Sequence, residues 1–356
     1  MNSIPEVPRY DWAKEQARKY LVEHHINNLP IDIIGLIKKA GIISLKTYSK
    51  LALKSNTSIN DICLEFQSSD GVSILNTSKF SNKKYAILFN DTRKPKTRIN
   101  WTLAHEFGHI ILNHLVDFEQ SKLLRSNISD SEYSVLDKEA DAFAAELLVP
   151  TVVMIAAGWT NKNDVGMHCQ LSSQASSYRS NYLRTFSPRL YLFQHYEREL
   201  YYTFYNHIYK KFCPECKTFF VSKDANYCPI CGSHSIIWKK GEINIMKYEG
   251  VNVNELSKAI VCPICQNEEI LENGDYCAIC GTYLVNHCSD ITDEYDNIEK
   301  QGCGTLLPGN ARYCPYCGNP SHFKQINALC SWEQEQAIFK SLESGKSVPF
   351  DEEIPF

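Results

Sequence analysis

The pattern of apolar and polar positions changes along the chain from a helical type to a β type. Over residues 11–25 and 32–40 it predicts two helices, the second ended by Gly41. Between residues 42 and 90 the short apolar runs IISLKTY, GVSIL and YAILFN predict strands of a small sheet. Helices combined with a small sheet indicate an α+β fold, which we delimit as residues 1–190.

Three further helices are predicted after the sheet, at residues 102–114, 135–149 and 171–186. Pro150 ends the second of them, because proline lacks the backbone N–H that a helix interior requires. Residues 90–97 are polar, contain a proline and are expected to form a loop.

The chain has 15 cysteines, most of them in CxxC pairs beyond residue 212. The pairs at 213–216 and 228–231 are separated by 11 residues, and those at 262–265 and 277–280 repeat this spacing. Two such pairs can bring four thiolates into a tetrahedron around zinc, and a glycine after the second pair allows a tight turn. The predicted ligands are Cys213, Cys216, Cys228 and Cys231 in zinc ribbon 1, and Cys262, Cys265, Cys277 and Cys280 in zinc ribbon 2.

A third cysteine unit is less regular than the first two. Its predicted ligands are Cys288, Cys303, Cys314 and Cys317. Residues 289–302 must loop out for the first two of these to meet, and His287 is an alternative to Cys288. The remaining cysteines, Cys63, Cys169 and Cys330, are expected to be plain thiols.

The cysteine units suggest boundaries for the second half of the chain. The three ribbons are assigned to residues 212–248, 249–284 and 285–325. A connector, residues 191–211, precedes them, and an acidic tail with one short helix, residues 326–356, follows. The C-terminal half is therefore predicted to consist of small β-rich modules built around zinc.

Charge and targeting signals limit the classes of partner. The formal net charge of −4 excludes a general attraction to nucleic acid or anionic lipid. Only ribbon 1 is basic, with seven Lys/Arg against three Asp/Glu over residues 205–248, so nucleic acid is expected there or not at all. We expect the other ribbons to contact a protein partner.

The N-terminus shows no secretory signal, and the most apolar stretch, residues 147–159, is too short to span a bilayer. We therefore expect a cytoplasmic protein without membrane contact. In a reducing compartment CxxC pairs serve as metal ligands rather than as a disulfide framework.

The sequence WTLAHEFGHIILNH at residues 101–114 contains a candidate catalytic metal site. His105 and His109 are four residues apart, so on a helix both rings can reach one ion. Glu106 stands beside them, where it can take a proton from a water molecule. Gly108 would let another segment approach closely, whereas His114 falls off the ligand face of a continuous helix. The alternative is a buried helix that merely contains these residues.

A third ligand is expected from the helix at residues 135–149. Asp137 and Asp141 lie on one border of its apolar stripe, and Glu139 and Glu146 lie on the other. Either border can face the histidines, and the spacing alone does not choose between them. Asp141 is a candidate for orienting a ligand histidine.

The run RINWTLAHEFGHIILNH, followed by EADAFAAELLVP ending at Pro150, resembles the ImmA/IrrE family of zinc metallopeptidases. The resemblance covers roughly residues 10–190. It implies a zincin-like domain in which the two histidines are joined by an acidic ligand from the later helix. The family pattern has Glu where this chain has Asp137, and we favour Asp137 over Glu139 as the ligand.

The resemblance implies a zinc endopeptidase that makes limited cuts in a specific intracellular protein, often a helix-turn-helix repressor. Zinc is the expected cofactor, with one catalytic ion and two or three structural ions. The strand YAILFN, at residues 85–90, is a candidate edge strand for pairing with an extended substrate. The ribbons are expected to recruit substrate or partner. The alternative is a regulatory protein-binding or nucleic-acid-binding protein whose HEFGH zinc is structural or vestigial.

Overall fold

The computed structural model describes residues 4–76, 82–118, 130–186, 195–238, 246–271 and 273–343. The chain divides into two compact units, Met1–Ile208 and Tyr209–Phe356. Among the described residues, no helix combines the length and the apolar character needed to cross a bilayer.

The first unit is mainly helical, with one small sheet. Its helices are α1 (Tyr10–Glu23), α2 (Ile33–Lys39), α3 (Tyr48–Ser55), α4 (Ile59–Glu65), α5 (Lys96–Ile111), α6 (His114–Asp117), α7 (Asp130–Leu148), α8 (Thr151–Ala156), α9 (Lys162–Cys169), α10 (Ser173–Leu183), α11 (His195–Thr203) and α12 (Tyr205–Ile208). Its strands are β1 (Ile43–Thr47), β2 (Gly71–Leu75) and β3 (Tyr85–Phe89). The predicted α+β class is confirmed.

The three strands are the three predicted β runs, but their order in space corrects one expectation. β3 lies in the centre, parallel to β1 and antiparallel to β2. The run YAILFN is therefore not an edge strand, and the edge next to α5 is β2. Helices α3 and α4 fill the stretch between β1 and β2, where only strands were predicted. Ser58 and Asp61 form a capping box that begins α4.

Helix α5 is longer than predicted, because it begins at Lys96 instead of residue 102. It ends at Ile111, and Asn113, with φ at +57°, turns the chain into the separate helix α6. His114 is therefore not on a continuation of α5. Gly108 lies at the crossing of α5 and α7, where a Cβ would sit 3.1 Å from Phe143 Cδ1. The close approach expected at this glycine is confirmed.

Buried ion pairs connect α1 with α7 and α11, and α7 with α10. Glu146 of α7 accepts hydrogen bonds from Arg18 Nε of α1 at 2.9 Å and from Arg179 Nη2 of α10 at 2.7 Å. Arg18 Nη1 also lies 2.9 Å from Glu197 Oε1 of α11. Helix α11, in the segment treated as a connector, thus packs within the first unit, which extends to Ile208.

The second unit is built on the three cysteine modules. A hairpin of β4 (Lys210–Phe212) and β5 (Phe219–Val221) begins ribbon 1. Residues 289–302 form a second hairpin, with strands β6 (Ile291–Thr292) and β7 (Ile298–Lys300). Two helices follow, α13 (His322–Gln325) and α14 (Trp332–Glu343).

Helix α14 is the short helix predicted for the tail, and it packs against ribbon 1. Trp332 and Phe339 contact the apolar cluster that contains Met246 and Tyr248. The buried guanidinium of Arg312 pairs with Glu335 of the same helix. The acidic end of the tail, residues 344–356, lies outside the described residues.

Candidate metal centres

Helices α5 and α7 bring three ligand atoms to one point. His105 Nε2 and His109 Nε2 are 3.1 Å apart, and Asp137 Oδ1 lies 3.6 and 3.4 Å from them. A tetrahedral zinc ion with bonds of about 2.0–2.1 Å separates its ligands by roughly 3.4 Å. The three atoms are therefore spaced as ligands of one ion, with a fourth position left over.

The donor chemistry fits a cation as well. Asp137 Oδ1 is buried and has no hydrogen-bond partner among the described residues, an arrangement that a bound metal would satisfy. Burial alone would raise the pKa of Asp137, but the imidazoles of His105 and His109 hold it well below its usual range. Burial lowers the pKa of His109 to about 3. The group therefore offers a carboxylate and a neutral imidazole, the forms that bind metals.

His105 is oriented by Asp141, as the sequence suggested. Its Nδ1 donates to Asp141 Oδ1 at 2.8 Å, which leaves Nε2 free to face the ion position. Burial alone would lower the pKa of His105, but the carboxylates of Asp137 and Asp141 raise it to about 10. This strong affinity for a proton reflects a negative potential that favours any cation at the site.

His109 is oriented through a chain of buried groups. Its Nδ1 lies 2.9 Å from His114 Nδ1, and His114 Nε2 lies 3.1 Å from Glu139 Oε2. Because a carboxylate only accepts hydrogen bonds, His114 donates from Nε2 and accepts at Nδ1. His109 must then donate from Nδ1, and its Nε2 carries the lone pair that faces Asp137.

These hydrogen bonds show that Glu139, the alternative metal ligand, is engaged elsewhere, which corrects that assignment. Both oxygens of Glu139 are engaged, since Arg9 donates to them from its backbone N, Nε and Nη2 at 2.8–2.9 Å and His114 contacts Oε2. Glu146, on the same border of α7, is occupied by Arg18 and Arg179. The border of α7 with Asp137 and Asp141 therefore faces the histidines, and the border with the glutamates faces arginines.

Glu106 is buried between α5 and the edge strand β2. Burial raises its pKa above the ordinary value for glutamate, opposed by the charge of His105 and by the neighbouring Ser73. Gly71 makes room for this packing, because a Cβ there would lie 2.7 Å from Thr102 Cγ2 of α5. A carboxylate whose pKa is raised in this way is closer to the range in which a base exchanges protons near neutral pH.

The structure brings together all four predicted cysteines of each ribbon. In ribbon 1, Cys213 Sγ and Cys231 Sγ are 3.4 Å apart, and Cys216 Sγ and Cys228 Sγ are 3.5 Å apart. The corresponding sulfur distances are 3.6 and 3.5 Å in ribbon 2, and 3.3 and 3.5 Å in ribbon 3. These are far longer than a disulfide bond of about 2.05 Å, and they approach the separation of about 3.8 Å in a tetrahedral zinc–thiolate site.

Cys288 and Cys303 form the backbone turn of a CxxC pair, although 14 residues lie between them. In the regular pairs the N–H of the first cysteine donates to the carbonyl two residues after the second, as Cys213 does to Thr218 at 3.0 Å. Cys288 donates in the same way to Thr305 at 2.9 Å. His287, the alternative ligand, is stacked on His322 and is not in the donor group.

Several supporting residues escaped the sequence analysis. A continuous helix would place His114 away from the ligand face, and its role depends on the break at Asn113. Arg9 lies 130 positions from Glu139, and nothing in the local sequence links the two. The alternation of small and apolar residues in GVSIL marks Ser73 as an inward position only once β2 is known to be the edge strand.

An HExxH helix joined to a carboxylate from a later helix defines a metallopeptidase type of site. Residues 58–180 match the family model Peptidase_M78, described as the IrrE N-terminal-like domain. The first unit therefore contains a domain of the ImmA/IrrE family, and the matched region includes α5, α7 and the three ligand atoms. A comparison with curated proteins gave no match.

Proposed function

We propose that the protein is a zinc-dependent endopeptidase that makes limited cuts in a specific intracellular protein. The observation that carries this proposal is the convergence of two imidazoles and the orphaned Asp137 oxygen, with the buried carboxylate of Glu106 beside them. His105, His109 and Asp137 would hold the ion. A purely structural site would have no use for a general base next to an open ligand position.

Zinc held by these three residues would polarise the scissile carbonyl and make a water molecule acidic. Glu106 acts as the general base, because its raised pKa lets it take the proton of the attacking water and release it to the leaving amine. Asp141 and the pair of His114 and Glu139 hold the two imidazoles in the tautomers that direct Nε2 inward.

The edge strand β2 supports an extended peptide as substrate. Asn90 N donates to Asp70 O, and Asn76 N donates to Lys84 O, both at 2.8 Å. Bonded positions alternate in an antiparallel ladder, so the main-chain groups of Ser73 and Leu75 turn away from β3. Of these two residues Leu75 is partly exposed, whereas Ser73 is fully buried. A substrate strand added at this edge would pass beside Glu106. A helix-turn-helix repressor is the substrate class that the family resemblance implies.

The three cysteine modules are proposed to bind structural zinc and to recruit the substrate or a partner protein. Small modules of this kind gain their folding energy from the metal, because they lack a core large enough to fold alone. The basic composition of ribbon 1 makes it the place for any nucleic-acid contact.

The test compares new protein N-termini after purified protein is added to a cell extract with zinc. Wild type is expected to create a small set of new termini, whereas Glu106→Gln creates none although it binds the same amount of zinc. Glu65→Gln, at an exposed glutamate of α4 in the same unit, serves as the matched control and is expected to cut like wild type. Cleavage by Glu106→Gln at the wild-type rate would reject the peptidase and favour a regulatory binding protein.

A further inference from the structure

The second CxxC turn of each ribbon has the same flanking residues. A tyrosine precedes it and a glycine follows it in all three, at residues 227–232, 276–281 and 313–318. We call these segments knuckle 1, knuckle 2 and knuckle 3. The glycines have φ of +74°, +73° and +78°, so the three knuckles share one backbone turn.

Knuckles 1 and 3 pair with one another through reciprocal backbone hydrogen bonds. Pro315 O of knuckle 3 accepts from Tyr227 N at 2.9 Å and from the preceding N–H at 2.8 Å. Pro229 O of knuckle 1 accepts from Tyr313 N at 3.0 Å and from the preceding N–H at 2.8 Å. Each knuckle thus gives the other the same donors and the same acceptor, as a local two-fold axis requires.

The side chains repeat this reciprocity. A Cβ at Gly232 would lie 3.0 Å from Tyr313 Cδ1, and a Cβ at Gly318 would lie 2.9 Å from Tyr227 Cδ1. Each tyrosine ring therefore covers the glycine of the other knuckle. The glycines serve both the left-handed turn and the contact, since a side chain at either position would collide with the facing ring.

Knuckle 2 has the same pairing face but no pairing partner among the described residues. Tyr276 is 62% exposed, and a Cβ at Gly281 would meet nothing within 4 Å. No hydrogen bond within the described part of the chain engages the N–H groups of Asp275 and Tyr276 or the carbonyl of Ala278. These are the counterparts of the groups that join knuckles 1 and 3.

We propose that knuckle 2 pairs with knuckle 2 of a second copy of this chain. A two-fold interface needs a self-complementary surface, and the pairing of knuckles 1 and 3 shows that this sequence motif pairs with its own kind. Ala278 O of each copy accepts from the partner's Asp275 N and Tyr276 N, and each Tyr276 ring covers the partner's Gly281.

The charge of Asp275 does not prevent this arrangement. Asn226 stands at the equivalent position of knuckle 1 and remains exposed within the intramolecular pair. Arg312, at that position of knuckle 3, is buried, but its guanidinium contacts Cys330 O and Glu335 outside the two knuckles. The two Asp275 carboxylates would therefore stay in solvent, where salt of about 0.15 M limits their repulsion to a range of about 8 Å. The contact is small compared with a standard interface of about 1,600 Å², so we expect a weak dimer with micromolar affinity.

Sedimentation equilibrium of the full-length, zinc-loaded protein tests the proposal. Wild type is expected to dimerise, and Tyr276→Ser is expected to raise the dissociation constant at least about tenfold, because an interface aromatic anchors such contacts. Tyr295→Ser is the matched control, since Tyr295 is 80% exposed in the same unit but lies outside the knuckles. A wild-type chain that stays monomeric at about 200 µM, or equal dissociation constants for the two variants, overturns the proposal.

Hydrogen–deuterium exchange of the wild-type protein gives a second test that needs no variant. The amides of Asp275 and Tyr276 are expected to exchange more slowly as protein concentration rises through the dissociation constant, while the inserted hairpin at residues 289–302 exchanges at an unchanged rate. Concentration-independent exchange at both amides would contradict pairing through knuckle 2.

Discussion

His114 and Glu139 form a fully buried pair, with His114 Nε2 3.1 Å from Glu139 Oε2, and this pair fixes the orientation of His109. Neither residue belongs to the donor group around the ion position. Their effect passes through the tautomer of His109. A site defined by two donors of a local motif and a third from α7 thus depends on a fourth and a fifth residue as well.

Replacing His114 by Phe should weaken zinc binding at the first unit by about 10- to 100-fold, because His109 Nδ1 loses its partner while the buried volume is largely kept. Competition with a chromogenic chelator measures the affinity. His195→Phe, at an exposed histidine of α11, is the control and should bind zinc like wild type. Unchanged affinity in the His114 variant would show that His109 needs no orienting partner.

Replacing Gly108 by Ala should destabilise the first unit by about 1–3 kcal/mol and weaken its zinc site. The added Cβ would lie 3.1–3.4 Å from Phe143 and from the backbone of Ala140, so α7 must move, and Asp137 with it. Chemical denaturation measures the change in stability. Gly274→Ala is the matched control, because a Cβ there has only an ordinary contact at 3.6 Å.

The Cys303→Ser variant should lose one zinc ion per chain, whereas Cys330→Ser should lose none. Cys303 Sγ lies 3.5 Å from Cys314 Sγ, while Cys330 is outside the four-cysteine groups of the described residues. Elemental analysis of the purified variants provides the count. If both variants keep the wild-type content, the interrupted turn of ribbon 3 is not a metal site.

Glu146 should stabilise the first unit in a pH-dependent manner. Burial alone would raise its pKa, but Arg18 and Arg179 lower it from 4.5 to about 2. Its contribution is therefore complete above about pH 4.5 and is lost as the pH falls towards 2. Near neutral pH, Glu146→Gln should cost about 3–5 kcal/mol, because two buried arginines lose their counter-charge.

Amide exchange in α7 measures this loss in the intact chain, and the difference between wild type and Glu146→Gln should shrink as the pH drops below 4.5. The control Glu23→Gln changes an exposed glutamate whose nearest cation, Lys19 Nζ, is 3.8 Å away. It should cost less than about 0.5 kcal/mol. A pH-independent difference would mean that Glu146 acts without its charge.

The sequence predicted those metal ligands that lie close together on one helix or in one CxxC pair, because residue spacing alone places them. The positions of His105 and His109, four apart on a helix, placed their rings together, and the repeated CxxC pairs gave all three groups of cysteines. The choice between Asp137 and Glu139 needed the rotation of α7 about its axis, which Arg9 and Arg18 fix from distant parts of the chain. Residue spacing within α7 does not predict contacts with such distant segments.

Two features of the fold could not be predicted from the sequence, for related reasons. Helices α3 and α4 span eight and seven residues, so each makes about two turns and shows too little periodicity to distinguish it from a strand. The central place of β3 depends on pairing between segments that are far apart in sequence, Ile43–Thr47 and Gly71–Leu75. Side-chain alternation within the strand does not encode its neighbours.

Zinc counting by mass spectrometry on wild type and on His105→Ala tests the central claim most directly, that α5 and α7 together bind an ion. We expect four zinc ions per chain for wild type, one at each group of donors, and three for the variant. Equal zinc content in the two proteins would contradict it.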